Sequence, residues 1–162
     1  MTSTDAILRL RELVPVRTVG MFSTITPGGA IHARPLTLQE IDDQGSLWFF
    51  VHTSADWVAG LQVGETVNFS TSDDDDRTWV SVAGRARIVE DRARIDRLWS
   101  ASDEHHSPDA VAKDDSTLRL LELLPEEAEY WDAPSGALER LKTAVASAVG
   151  RDVDTSGQLD LV

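Results

Sequence analysis

The residues best suited to chemistry lie where an apolar run at 47–51 gives way to polar residues. His52, Thr53 and Ser54 follow this run directly. The run is short and rich in aromatics, which predicts a strand buried on both faces, and the apolar spacing after Ser54 predicts a helix. Backbone N–H groups at a helix start have no partners within the helix, so they can bind an anion. The pattern therefore predicts an anion site at this corner.

The helix after the corner is predicted from Trp57, Val58 and Leu61, which share one face. Gly64 can end it by adopting a left-handed conformation. A purely structural interpretation is also open, in which Ser54 caps the helix and Trp57 packs in the core or an interface.

Arg34 is the second candidate for ligand binding. Residues 18–26 are rich in β-branched and apolar types, and the Pro-Gly-Gly turn at 27–29 predicts a hairpin. Pro35 lies in the return strand, where it cannot donate to a ladder, so pairing must break there or the strand must lie at an edge. Either irregularity leaves Arg34 available to a ligand.

Composition excludes several classes of protein. Hydrophobic residues make up 41% and charged residues 27% of 162, which is ordinary for one globular domain. Without cysteine the chain has no disulfide, thiolate nucleophile or thiolate metal site. A net charge of −13 predicts that nucleic acid and anionic membrane surfaces are not partners. The start of the chain lacks the features of a secretory signal, so we expect a cytoplasmic protein.

Other chemical patterns are weak. The adjacent His105 and His106 point in different directions, and 73–76 lacks the spaced ligands of a calcium loop, so we predict no metal site. No phosphate-binding loop, dinucleotide fingerprint or nucleophile elbow is present.

The elements that must position the candidates are mostly strands. We predict one domain over 1–162, with an N-terminal helix in 1–15, a C-terminal helix in 136–150 and a tail at 151–162. Between the two helices the chain predicts antiparallel strands, including a long one at 78–89 interrupted at Gly84. Asp91 can cap a further helix, and 100–115 is predicted to be a mobile loop. The segment 117–124 fits a helix or a strand, with Pro125 after it; a sheet in need of a closing strand favours the strand.

Four motifs, in order, carry a resemblance to a known family. They are Arg34-Pro35-Leu36, Leu47-Trp48-Phe49-Phe50, the run from Val80 to Ala86, and Ala128-Glu129-Tyr130-Trp131-Asp132. Because of the joint order and spacing of these motifs, the chain resembles the general stress protein 26 branch of the pyridoxamine 5′-phosphate oxidase-like, flavin-binding split-barrel family. The similarity runs from about Leu8 to the end of the chain.

The resemblance implies an α+β, mainly β fold: a six-stranded antiparallel Greek-key split β-barrel with flanking helices. It also implies a homodimer with FMN or FAD bound at the dimer interface. The cofactor-binding residues implied by position are Arg34, Pro35, Leu36, Phe49, Phe50, Val51, His52, Ser54, Trp57 and Trp131. In the family the phosphate is met by residues around the Arg-Pro pair, a Ser or Thr, and a Lys. Here the position of that lysine is Trp57, and Arg34 and His52 could compensate for it.

Two hypotheses follow. The first is an FMN- or FAD-binding, oxidoreductase-like protein of the general stress type. The second is a cofactor-free split-barrel dimer that acts as a binding or stress-response module. In either case a small barrel with five tryptophans and an apolar strand at 47–51 is expected to be a homodimer.

Overall fold

The computed structural model describes residues 3–101, 114–132 and 156–161. The helices are α1 (Ser3–Leu13), α2 (Asp56–Ala59) and α3 (Arg92–Ala101). The strands are β1 (Val19–Ile25), β2 (Ile31–Ile41), β3 (Leu47–His52), β4 (Glu65–Asp73), β5 (Thr78–Val89), β6 (Leu118–Asp132) and β7 (Ser156–Asp160). No helix within these ranges has the length and apolar character that a membrane crossing requires.

Six of the strands form a closed antiparallel barrel. Neighbouring strands follow the order β3-β2-β1-β4-β5-β6, and β3 closes the barrel by pairing with the first part of β6. Because β1 pairs with β4 and β3 with β6, non-consecutive strands are neighbours, as in a Greek key. β7 pairs with the last part of β6, beyond the reach of β3. The predicted six-stranded split barrel is confirmed, and β7 is an additional strand.

Strand β2 runs through Pro35 without a break. Pro35 lies opposite Met21 of β1, whereas β3 pairs with β2 only from Leu38 onward. The first part of β2 is therefore an edge, where a residue without an N–H can be accommodated. Of the two alternatives at Pro35, the edge is correct and the break is not.

Strands β5 and β6 pair along their whole length with one irregularity between Ala83 and Gly84. Gly84 lies opposite Pro125, and a Cβ on Gly84 would lie 2.1 Å from the carbonyl oxygen of Leu124. The interruption predicted at Gly84 is confirmed. The proline does not end a strand, however, because the bulge absorbs it; the segments at 117–124 and 129–132 belong to one strand.

The core has two parts, one on each face of β3. Inside the barrel, the Phe49 ring lies 5.6 Å from Phe22 and 4.8 Å from Phe69, and α1 packs against this cluster. On the other face, Trp48 packs with residues of α3 and β6. The prediction that 47–51 is buried on both faces is therefore confirmed.

Two predicted elements differ from the structure. The helix after β3 has only the four residues of α2 and ends at Gly60, whereas Gly64, with φ +81°, lies in the turn before β4. The segment 151–162, predicted as a tail, contains β7, and Leu159 and Leu161 are buried. The C-terminal helix predicted within 136–150, residues 102–113 of the predicted mobile loop, and His105 and His106 lie outside the described residues.

Candidate functional site

Arg34 lies on the inner face of β2, because it pairs directly with the buried Phe22 of β1. Its Nη1 donates a hydrogen bond to Oγ1 of the buried Thr24 at 3.0 Å. Burial lowers the pKa of the guanidinium, and no carboxylate pairs with it in the part of the chain that the structure describes. A guanidinium has five N–H donors, so four remain for solvent or a ligand.

Trp57 lies against this arginine. The Cζ atom of Arg34 is 4.2 Å from the centroid of the Trp57 ring, which is a cation–π contact. The ring also packs against the core, with its centroid 6.0 Å from that of Phe22. The structure therefore brings together two of the predicted site residues, Arg34 and Trp57, at the rim of the barrel core. Thr24 is a third member that the sequence did not single out, although the hairpin register places it two residues from the partner of Arg34.

The helix start where the sequence predicts an anion site differs from the expected structure in its cap and its length. The N-cap of α2 is Ala55 and makes no side-chain hydrogen bond, so Ser54 does not cap the helix. Ser54 is exposed. A helix of one turn has few aligned peptide dipoles, so it provides little of the N-terminal charge that attracts an anion. The cation of Arg34 is the stronger feature of this corner.

The β3 residues divide between the two faces of the strand. Phe49 and Val51 are buried in the barrel core, whereas Phe50 makes an edge-to-face contact with Trp99 of α3, with ring centroids 5.4 Å apart. Since side chains alternate along a strand, His52 shares the face of Phe50 and not that of Arg34.

His52 is held by a short polar network. Its Nδ1 lies 3.1 Å from the hydroxyl of Thr117, and that hydroxyl donates to the carboxylate of Asp115 at 2.7 Å. Hydrogen bonds from the backbone and side chain of Thr117 lower the pKa of Asp115. His52 thus bonds to the segment just before β6, and its side chain lies on the face of β3 opposite to that of Phe49 and Val51.

The other predicted residues divide between the face of β2 that carries Arg34 and the outer surface of the barrel. Leu36 is half-buried against the barrel core, and Pro35 is exposed at the edge of β2. Trp131 is 46% exposed and lies opposite Trp79 on the β5–β6 pair. Within one copy of the chain, Arg34 is on the inner face of β2 and Trp131 is on the outer face of β6, where it could reach only a flavin of the opposite subunit, as the family resemblance implies.

Comparison with protein families gives one match over almost the whole chain. The model of the family described as pyridoxamine 5′-phosphate oxidase like matches residues 5–154. The chain belongs to the pyridoxamine 5′-phosphate oxidase-like family. A comparison with curated proteins gives no match.

Solved structures agree with the family assignment. A general stress protein 26 from Jannaschia sp. CCS1 is 22% identical, with a TM-score of 0.68 over 98% of this chain and 99% of that one. A general stress family protein from Xanthomonas campestris pv. campestris is 27% identical, with a TM-score of 0.63 over 84% and 92%. The general stress FMN/FAD binding protein from Xanthomonas citri is also 27% identical, with a TM-score of 0.63 over 82% and 92%. The resemblance to general stress proteins stated from the sequence is confirmed.

This family member also has a polar cleft of about 530 Å³ on the opposite side of β3. It contains a row of paired side chains from four neighbouring strands, listed in spatial order as Glu40, Trp48, Glu122 and Arg87. Arg94 of α3 lies 3.9 Å over the Trp48 ring, and the Trp48 Nε1 donates to Asp42 at 2.9 Å. The charged groups of the cleft form ion pairs with each other. Those between Arg94 of α3 and the carboxylates of Glu40 and Asp42 connect α3 to the barrel.

Proposed function

We propose that this chain is a flavin-binding protein of the general stress type that binds FMN or FAD, with the flavin phosphate at Arg34, and that it has oxidoreductase-like chemistry. The family match and the likeness to the FMN/FAD binding protein from Xanthomonas citri support flavin as the ligand class.

The observation that carries the proposal is that Arg34 is partly buried and has no carboxylate partner among the described residues. A partly buried cation without a carboxylate partner is costly in a folded protein unless it serves a ligand. Here the guanidinium is partly desolvated and lies on the inner barrel face, and among the described residues its side chain has one hydrogen bond, to the neutral Thr24. Charge-assisted hydrogen bonds from a guanidinium to phosphate are strong and geometrically specific. The residues present therefore fit an anionic group of this kind.

A bound flavin would supply the redox chemistry, since it accepts and donates electrons or hydride. The role of the chain would be to hold the phosphate at Arg34 and to exclude water from that side with Trp57 and the core behind it. Phe49 and Val51 would act only through their backbone, because their side chains are buried in the barrel.

We also propose that two copies form a homodimer through the outer face of the barrel. Side chains on this face alternate with the inward ones, and the cross-strand register places exposed apolar residues of β1, β2, β5 and β6 on it. These residues are Val19, Met21, Ile25, Ile31, Trp79 and Trp131. Much of the rest of the face is small and polar, as in the pair of Asn68 and Ser81 joined at 2.8 Å. A second copy of this chain is the partner that the family resemblance implies.

Flavin titration of the purified protein tests the function. We expect FMN or FAD to bind, with an absorption band that remains with the protein through gel filtration. Arg34→Gln should weaken binding by about ten- to a hundredfold, because a hydrogen bond to a charged group contributes about 1.5–3 kcal/mol. Arg85→Gln is the control, since Arg85 forms a surface pair with Glu126 at 3.0 Å. A parent protein that binds neither flavin would contradict the proposal.

One observation favours the second candidate function, a cofactor-free module. The uncharged Trp57 occupies the position where the family resemblance implies a phosphate-binding lysine, so that position provides no second cation beside Arg34. The same titration separates the two functions, because the cofactor-free dimer would remain colourless with either flavin.

A further inference from the structure

The Arg34–Trp57 contact has a specific geometry. The guanidinium carbon is 4.2 Å from the centroid of the indole, within the range where the ring face attracts a cation. The indole itself is anchored, since it packs against Phe22, a side chain with no exposed surface. Trp57 therefore links the rigid barrel core to the arginine.

Three interactions restrict Arg34 before any ligand arrives. Its backbone is paired opposite Phe22, its Nη1 donates to Thr24, and its planar group lies over Trp57. A flexible side chain that is already held in place loses less conformational entropy when it binds a ligand. Preorganisation of one cation can thus recover part of the affinity that a second, mobile cation would provide.

We infer that Trp57 is a positioning residue for phosphate binding: it holds the Arg34 guanidinium in the orientation that binds the phosphate of the flavin, in place of a lysine at the same position. This inference rests on the proposed function. It assigns Trp57 a role through Arg34 and not through stacking on the flavin ring. The two roles differ in which part of the ligand they affect.

The experiment compares FMN with riboflavin, which has the same ring system but no phosphate. The ratio of the riboflavin and FMN dissociation constants measures the contribution of the phosphate. In Trp57→Leu we expect this ratio to fall by about two- to thirtyfold, the range of a cation–π contact, while riboflavin affinity stays unchanged. Trp57→Phe retains a weaker aromatic face and should give an intermediate ratio. Trp99→Leu is the matched control, because Trp99 also packs on a phenylalanine but on the opposite face of β3.

The outcomes distinguish this inference from the proposed function. If the parent binds neither flavin, the proposed function fails. A second outcome is that the parent prefers FMN and that Arg34→Gln abolishes this preference, which supports the proposed function. If Trp57→Leu then leaves the ratio of dissociation constants unchanged, Trp57 does not position Arg34. Equal losses of FMN and riboflavin affinity in Trp57→Leu would also overturn the inference, since they indicate ring stacking or a general structural role. If Trp57→Leu does not fold, Trp57→Phe decides, and an unchanged ratio in that variant overturns the inference.

Discussion

Two arginines on β5 show how the burial of the partner carboxylate affects the contribution of an ion pair to stability. Arg85 and Arg87 are separated by one residue, and each side chain is 50% exposed. Arg85 pairs with Glu126, which is 51% exposed, whereas Arg87 pairs with Glu122, which is only 5% exposed. The hydrogen bond and charge of Glu122 raise the pKa of Arg87. Exposed pairs contribute little, but removal of one partner from a buried carboxylate leaves a desolvated charge.

We predict that Arg87→Met lowers the free energy of unfolding by about 1–3 kcal/mol, because Glu122 loses its cation and its hydrogen bond, while the half-exposed position of Arg87 allows solvent to screen part of the loss. Arg85→Met should change it by less than about 1 kcal/mol. Urea denaturation at neutral pH measures both. Equal effects of the two substitutions would show that the burial of Glu122 does not determine the strength of its pair.

At the candidate site, single residues could be predicted from the sequence but their surroundings could not. The unusual Arg-Pro step in a strand indicated Arg34, and the structure places it on the inner face. The surroundings of His52 and Phe50 depend on which face of β3 packs against α3. Trp48 determines that face, because it packs with residues of α3. That packing involves residues far from β3 in the chain, so local sequence patterns do not contain it.

At the scale of elements, the β5–β6 bulge is the feature with the strictest steric requirement. A Cβ on Gly84 would lie 2.1 Å from the Leu124 carbonyl oxygen and 2.9 Å from the Pro125 Cα. Both contacts are with backbone atoms, which cannot rotate away. The bulge places Pro125 within a strand that pairs with β3, β5 and β7.

We predict that Gly84→Ala destabilises the protein by about 3 kcal/mol, the upper part of the usual range for overpacking. Gly28→Ala is the matched control, because a Cβ there would meet only the Thr26 hydroxyl at 3.9 Å. Thermal or urea unfolding of the two variants gives the comparison. If Gly84→Ala is as stable as Gly28→Ala, the bulge must accommodate a side chain by shifting the backbone.

Elements with strong local signals were predicted well. Local signals predicted the periodicity of α1, the turn of the β1–β2 hairpin and the glycine in β5. The cap of α3 is also a local feature, because the carboxylate of Asp91 accepts a hydrogen bond from the backbone N–H of Arg94 at 3.0 Å. The failures have non-local causes. Pro125 is tolerated because a bulge absorbs it, and β7 forms because its partner, the end of β6, is free of β3. The helix predicted to reach Gly64 ends at Gly60, so Leu61 packs against the core from the irregular segment that follows.

At the scale of the whole molecule, the exposed apolar residues of the outer face give a prediction about assembly. We expect the parent protein to sediment as a dimer at micromolar concentration. Met21→Asp should weaken the dimer by at least about a hundredfold, because it would place an unpaired charge in a buried interface. Val63→Asp serves as the control, since Val63 is 84% exposed in the turn before β4 and belongs to none of the strands that form this face. A stable folded monomer of the parent at that concentration would refute the proposed homodimer.

The closure of the barrel by β3 and β6 also affects how the chain folds. The β1–β2 and β4–β5 hairpins join strands that are close in sequence, whereas Leu47 must find Leu123 across the intervening barrel strands and α3. Closing such a large loop carries an entropic cost, and chains with many distant pairings fold slowly. A ribosome releases the N-terminal strands first. Each face of β3 therefore lacks some of its packing partners, such as Phe69 on one face and the residues of α3 and β6 on the other, until they are synthesised. During that interval the aromatic strand at 47–51 exposes apolar surface, which makes a partly folded chain prone to aggregation.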